Sequence, residues 1–154
     1  MYFNERYFFE EALKEAEQAF REGEVPVGCV IAHEDKIIAR GHNQTEALRD
    51  PTAHAEIIAI GSAANYLNNW RLSGCTLYVT LEPCLMCVGA MIFSRIDGFY
   101  YLLEDQKFGS VESQLKIDDL LKFNHKLSAS KFDEPELKER ARLLIKTFFK
   151  SLRE

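Results

Sequence analysis

Two short strings in this chain of 154 residues combine residue types that do chemistry: His54-Ala55-Glu56, and Pro83-Cys84-Leu85-Met86-Cys87. Each stands where a helix is expected to begin. Cysteines at i and i+3 lie one above the other on a helix face, so both sulfurs can reach one ion at the Zn–S distance of about 2.3 Å. The positive end of the helix favours the thiolate, which is the form that binds metal. His54 is the natural third ligand. Three protein ligands leave one tetrahedral position open, and an open position marks a catalytic zinc rather than a structural one. Glu56 is then expected to act as general acid and base rather than as a ligand, taking and returning the proton of a zinc-acidified water.

Taken singly, each residue has a plainer explanation. A histidine in an alanine-rich helix is usually packed or solvated, a glutamate is usually a solvated face, and one Cys-x-x-Cys can be redox-active or accidental. Their combination, with strand-to-helix context at both strings, is what points to a metal-dependent catalyst. Cys29 and Cys75 each sit alone in an apolar stretch and read as small core residues. A fourth ligand drawn from either would close the site.

The elements expected to hold these residues follow from apolar spacing. Phe8, Ala12, Leu13, Ala16, Ala19 and Phe20 predict a helix over Asn4–Phe20, with Asn4 as N-cap and Gly23 after its end. Val25–Ala32 and Lys36–Gly41 predict a hairpin turning at His33-Glu34-Asp35. Asp50-Pro51-Thr52 ends the extended part and caps a helix over Ala53–Leu67. A strand over Cys75–Thr80, a helix from Pro83 to Ser94 and a strand over Ile96–Leu103 predict a parallel crossover. Residues 104–130 read mostly as loop, with a short apolar cluster at Ile117–Leu121. Asp133-Glu134-Pro135-Glu136 opens a last helix whose apolar stripe runs from Leu137 to Leu152. No repeat or Pro/Gly/Ser linker interrupts the pattern, so residues 1–154 are expected to form one α/β domain with helices on both faces of a sheet.

Composition agrees with that scale. With 47% hydrophobic and 28% charged residues, a single core can form and disorder is excluded as the main state. No run approaches the roughly 20 apolar residues of a membrane span. The few cysteines and the want of a secretory leader point to a cytoplasmic protein with reduced thiols.

Spaced as His-x-Glu…Pro-Cys-x-x-Cys, these residues carry the known signature of zinc nucleobase deaminases. Longer strings extend the likeness over most of the chain: Val25-Pro26-Val27-Gly28, Gly41-His42-Asn43, Asp50 through Glu56, Asn69-Trp70-Arg71-Leu72, Leu77 through Cys84, and Gly89-Ala90-Met91-Ile92. The chain thus resembles the zinc-dependent cytidine deaminase superfamily and, within it, the bacterial tRNA-specific adenosine deaminases. That resemblance implies a cytidine deaminase-like three-layer α/β/α fold around a mixed, mainly five-stranded sheet. It implies one zinc per subunit on His54, Cys84 and Cys87, with Glu56 moving protons as adenosine in a tRNA anticodon becomes inosine. It also implies a homodimer, and substrate contacts by Asn43, by Asp105 and Lys107 after the third long strand, and by Phe149 and Lys150 on the last helix. Two departures stand out. Glu104 occupies a place where a basic residue is common, and Phe108-Gly109-Ser110-Val111 is bulkier than expected around its glycine.

The net charge of −5 argues against a general affinity for polyanions. It is unevenly spread. Met1–Glu24 carries −4 and Leu137–Arg153 carries +5, with Lys138, Arg142, Lys146 and Lys150 recurring every four residues as a stripe able to follow phosphates. RNA is therefore expected to approach by the last helix, away from the acidic first one. Two other readings stay open: deamination of a free nucleobase or nucleoside such as guanine or cytosine, which shares the zinc chemistry, and a non-catalytic zinc-containing RNA-binding module.

Overall fold

A computed structural model describes residues 2–120 and 122–154, so Leu121 at the end of the expected apolar cluster, and Met1, lie outside the described residues. The chain runs α1 (Tyr2–Arg21), β1 (Gly28–His33), β2 (Lys36–His42), α2 (Thr45–Leu48), α3 (Ala55–Leu67), β3 (Cys75–Leu81), α4 (Leu85–Ser94), β4 (Gly98–Leu103), a 3-10 turn (Ile117–Asp119), β5 (Ser128–Lys131) and α5 (Pro135–Leu152). The strands form one five-stranded sheet in the order β2-β1-β3-β4-β5. β1 is antiparallel to both of its neighbours, while β3, β4 and β5 are parallel. The hairpin turns on Glu34 and Asp35, at φ 52° and 62°, with His33 opposite Lys36. Two consecutive positive φ values suit the right-handed twist of the flanking strands.

Alternation along β1 divides the core into two layers. Cys29 and Ile31 face Leu77, Val79, Phe99 and the buried sides of α3 and α4. Val30 and Ala32 face Tyr78, Leu102, α1 and α5. This is the expected α/β/α sandwich with a mixed sheet. In α1, Phe8, Ala12, Leu13, Ala16 and Ala19 are buried at helical spacing, as the pattern predicts. In α4, Met91 and Ile92 belong to the core, but Phe93 is 72% exposed and Leu85 is also exposed.

Several boundaries differ from expectation. The first helix begins at Tyr2, so Asn4 lies within it. α3 begins at Ala55 with His54 at its N-cap, while Asp50 instead turns back to accept hydrogen bonds from the N–H and hydroxyl of Thr52. α4 likewise begins at Leu85 with Cys84 at its N-cap. The region expected to be mostly loop contains β5, whose polar Ser-Ala-Ser-Lys sequence gives no apolar alternation and whose pairing to β4 is long-range. α2 is four residues long and is held from outside: the buried Glu24 carboxylate accepts from the N–H groups of Glu46 and Ala47 at 3.0 and 2.8 Å.

The expectation that the acidic first helix and basic last helix lie apart is corrected. They pack side by side on one face of the sheet. Arg140 reaches Glu10 at 2.7 Å and Glu17 at 3.7 Å, and Arg6 pairs with Glu134 and Glu136. Opposite charges that are far apart in sequence thus neutralise each other locally.

Candidate active site

β3 runs to Leu81, and the chain then turns through Glu82 and Pro83 into α4, at the carboxyl ends of the parallel strands where α/β proteins commonly place their sites. α3 reaches the same place by crossing β2 at Gly41. A Cβ on Gly41 would stand 2.4 Å from the Ala55 carbonyl oxygen and 2.9 Å from the Ala59 nitrogen, so only glycine lets the start of this helix lie so close. The Gln44 N–H donates to the Ala53 carbonyl at 2.9 Å and ties the end of β2 to the segment bearing His54.

His54 and Cys84 occupy equivalent positions, each an N-cap in extended conformation whose side chain makes no capping bond. Both side chains are therefore left for another partner. His54 Nδ1 lies 3.6 Å from Cys84 Sγ and 3.7 Å from Cys87 Sγ. Zn–N near 2.1 Å and Zn–S near 2.3 Å at a tetrahedral angle require a separation of about 3.6 Å. The three atoms thus fit one zinc, all lying within 4.8 Å of one another. Among the described residues neither Cys29 nor Cys75 joins this group; both are buried in strands.

Electrostatics divides the two cysteines. The neighbouring Cys87 thiol and His54 hold the Cys84 sulfur down to about 4 against the cost of burial. Cys87 is pushed up strongly by its bond to Cys84 and by burial. His54 is raised by the same Cys84 contact. Glu56, at the second position of α3, is 4% exposed, and burial pushes its carboxyl up to about 7. The Cys84 charge raises it further, whereas His54 and Cys87 lower it. A bound cation would favour its carboxylate form.

The expected substrate residues are arranged less uniformly. Asn43 is buried at the end of β2, and its side-chain amide has no hydrogen bond to another described residue. Asp105 shapes its own loop: Oδ1 accepts from the N–H groups of Lys107 and Phe108 at 3.1 and 3.3 Å. Lys107, Phe149 and Lys150 are exposed. Of the basic stripe, Lys138 is bound to Glu104 at 2.9 Å and Arg142 pairs with Glu139, while Lys146 and Lys150 have no ion-pair partner among the described residues. The unexpected Glu104 is thereby explained. Lys131 at 2.8 Å and Lys138 neutralise it, and although burial raises its carboxyl, these bonds bring it down to about 2. Glu82 falls within the Leu77–Cys84 string, but local pattern assigns it no role of its own. It is buried, and its partners come from 23 to 31 residues downstream, a distance that local pattern does not register.

Residues 3–103 match the cytidine and deoxycytidylate deaminase zinc-binding region. The chain belongs to this family. The chain is 47% identical to an Aquifex aeolicus protein named tRNA-specific adenosine deaminase, over 96% of this chain and 95% of the relative. A solved structure from a study of A-to-I editing by tRNA:A34 deaminases at the wobble position of transfer RNA superposes with TM-score 0.79 at 42% identity, covering 82% of this chain and 98% of that one. A guanine deaminase from Bacillus subtilis is 38% identical with TM-score 0.62, covering 64% of each chain. The deaminase zinc-binding region thus includes His54, Glu56, Cys84 and Cys87 of this chain.

Proposed function

We propose that this protein hydrolytically deaminates adenosine to inosine at the wobble position of a tRNA anticodon. What carries the chemistry is the buried Glu56 carboxylate beside a His54, Cys84 and Cys87 trio spaced for one zinc. His54, Cys84 and Cys87 would hold the zinc, which would supply a Lewis acid that makes water acidic near neutral pH. Glu56 takes a proton from the attacking water and delivers it to N1 of the ring. The C6–O bond forms first and leaves C6 tetrahedral; Glu56 then passes the second water proton to the amine, the C6–N6 bond breaks and ammonia leaves. A buried carboxylate beside the metal trio can both accept and donate a proton in one cycle. Asn43 holds the base through its free amide, Asp105 and Lys107 contact the flanking nucleotides, and Phe149 and Lys150 meet the RNA from α5.

The substrate assignment rests on likeness to proteins named tRNA-specific adenosine deaminase along nearly the whole chain. Residues 1–154 act as one cytoplasmic deaminase domain; among the described residues no helix is long and apolar enough to cross a membrane. A homodimer is supported by the exposed Leu85 and Phe93 on α4, which a second copy would cover. The second reading, deamination of a free base, draws on the likeness to a guanine deaminase. Incubation with an unmodified tRNA bearing a wobble adenosine, and separately with guanine, cytosine and adenosine, separates the two. Inosine in the RNA with free bases unchanged is expected; turnover of a free base with the RNA untouched overturns the assignment.

A further inference from the structure

Glu82 directly follows β3 and is 2% exposed, so its carboxylate must find its partners inside the protein. All of them come from one loop. Oε1 accepts from the Asp105 N–H at 3.0 Å and the Ser113 hydroxyl at 2.5 Å. Oε2 accepts from the N–H groups of Val111, Glu112 and Ser113 at 3.0, 2.9 and 3.1 Å. Gly109 closes over the same group, where a Cβ would stand 2.2 Å from the carboxylate carbon. The loop is also stitched to the metal site. Gly109 forms an isolated antiparallel bridge with Cys84, and the Ser110 N–H donates to the Pro83 carbonyl at 2.8 Å. On its outer side, Glu112 accepts from the Tyr101 hydroxyl and pairs with Lys131.

The held loop presents two side chains. Lys107 has no ion-pair partner among the described residues, and Phe108, one residue from the Cys84 partner Gly109, is 70% exposed. An exposed phenyl ring beside an unneutralised lysine is suited to stacking on an unpaired base while the cation meets its phosphate. The same phenylalanine is one of the residues that make this loop bulkier than the resemblance predicts.

We infer that Glu82 is a positioning residue that clamps the 105–113 loop against Cys84, and that Phe108 on this loop stacks on a nucleotide flanking the deaminated base. The inference rests on the RNA-substrate reading above. Steady-state kinetics on an anticodon stem-loop test it, using Phe108→Ala, Phe108→Tyr and Glu82→Gln, with zinc content and sedimentation measured on each. Loss of one base-stacking contact predicts a KM roughly 5- to 150-fold higher for Phe108→Ala with kcat little changed. Phe108→Tyr should keep the wild-type KM. Glu82→Gln turns an NH2 group toward a ring of donors and should raise KM while zinc stays bound. Phe108→Ala removes an exposed side chain and leaves the fold untouched, so it stands as a test even if Glu82→Gln misfolds. An unchanged KM in Phe108→Ala overturns the inference, whether or not the variant alters sedimentation. So does a Glu82→Gln protein that loses kcat and thermal stability at constant KM, since the clamp would then be structural alone. A wild-type protein that leaves the stem-loop unmodified overturns the substrate reading, and this inference with it.

Discussion

His54 Nδ1 lies 3.6 Å from Cys84 Sγ, although the two residues are 30 positions apart and cap different helices. Neither side chain spends its polar atom on the helix it begins. The two helices deliver their ligands as rigid ends, and Cys87, one turn into α4, completes the trio. His54→Ala, Cys84→Ala and Cys87→Ala should each lose stoichiometric zinc. A metal that binds only the folded state stabilises it, by about 2.7 kcal/mol at free zinc one hundred times Kd. Chelation of the wild-type protein should therefore lower Tm, and metal analysis with thermal melts checks both effects. Full zinc content in any of the three variants would contradict the ligand set.

Glu56 is expected to behave differently. Glu56→Gln keeps the volume of the buried side chain and removes its proton transfer, so zinc and fold should survive while kcat falls by about 10²- to 10⁴-fold. Inosine formation measured beside metal content makes the comparison. Activity near that of the wild type would exclude Glu56 as the proton carrier.

The close approach of α3 to β2 gives a paired stability test. Gly41→Ala places a methyl group 2.4 Å from a backbone oxygen and should destabilise the fold, by about 1–3 kcal/mol for an overpacked site. Gly61, inside α3, has open space around a built Cβ. Gly61→Ala should stabilise by about 0.4–1 kcal/mol through the unfolded chain and helix propensity. Urea titrations should move the two midpoints in opposite directions, and the Gly41 variant should also lose zinc affinity, since Gly41 seats the helix that begins at His54.

Glu104 carries a pH signature. Its carboxyl lies at about 2 in the folded protein against an ordinary 4.5, so the unfolded state binds more protons between these values. Its contribution is complete above pH 4.5 and lost as the pH falls toward 2. The Tm difference between wild type and Glu104→Gln should therefore be largest near neutrality and close on acidification. A gap that widens on acidification would contradict the ion pairs with Lys131 and Lys138.

The basic stripe can be divided by salt. Lys150→Ala should weaken RNA binding and reduce the slope of log K against log salt by about one, as for any lysine that meets a phosphate. Lys138→Ala, whose cation is already engaged by Glu104, should leave the slope nearly unchanged. Filter binding at several salt concentrations distinguishes the two residues.

The candidate site is legible in the sequence because its spacing is local: His54 and Glu56 fall in one helix turn, Cys84 and Cys87 in another. The hairpin was legible because its turn residues lie between two β-branched runs. What local pattern could not supply was partnership over distance. The basic residues of α5 read alike in the sequence, yet Lys138 is held by Glu104 and Arg140 by Glu10 and Glu17. Glu82 carries no local signal of its role, since its donors lie in a segment with no periodicity of its own. β5 was missed because a short polar edge strand is defined by its neighbour rather than by its composition.

That edge strand has a consequence for solubility. β5 is four residues long, polar, and ends in Lys131, features that discourage a further chain from adding to the sheet. Beneath it lies β4, whose Gly-Phe-Tyr-Tyr-Leu-Leu sequence is aromatic, uncharged and free of proline. Such a six-residue segment, left as a bare edge, is an aggregation hazard. Four unremarkable residues therefore stand between the strand that leads into the 105–113 loop and its self-association.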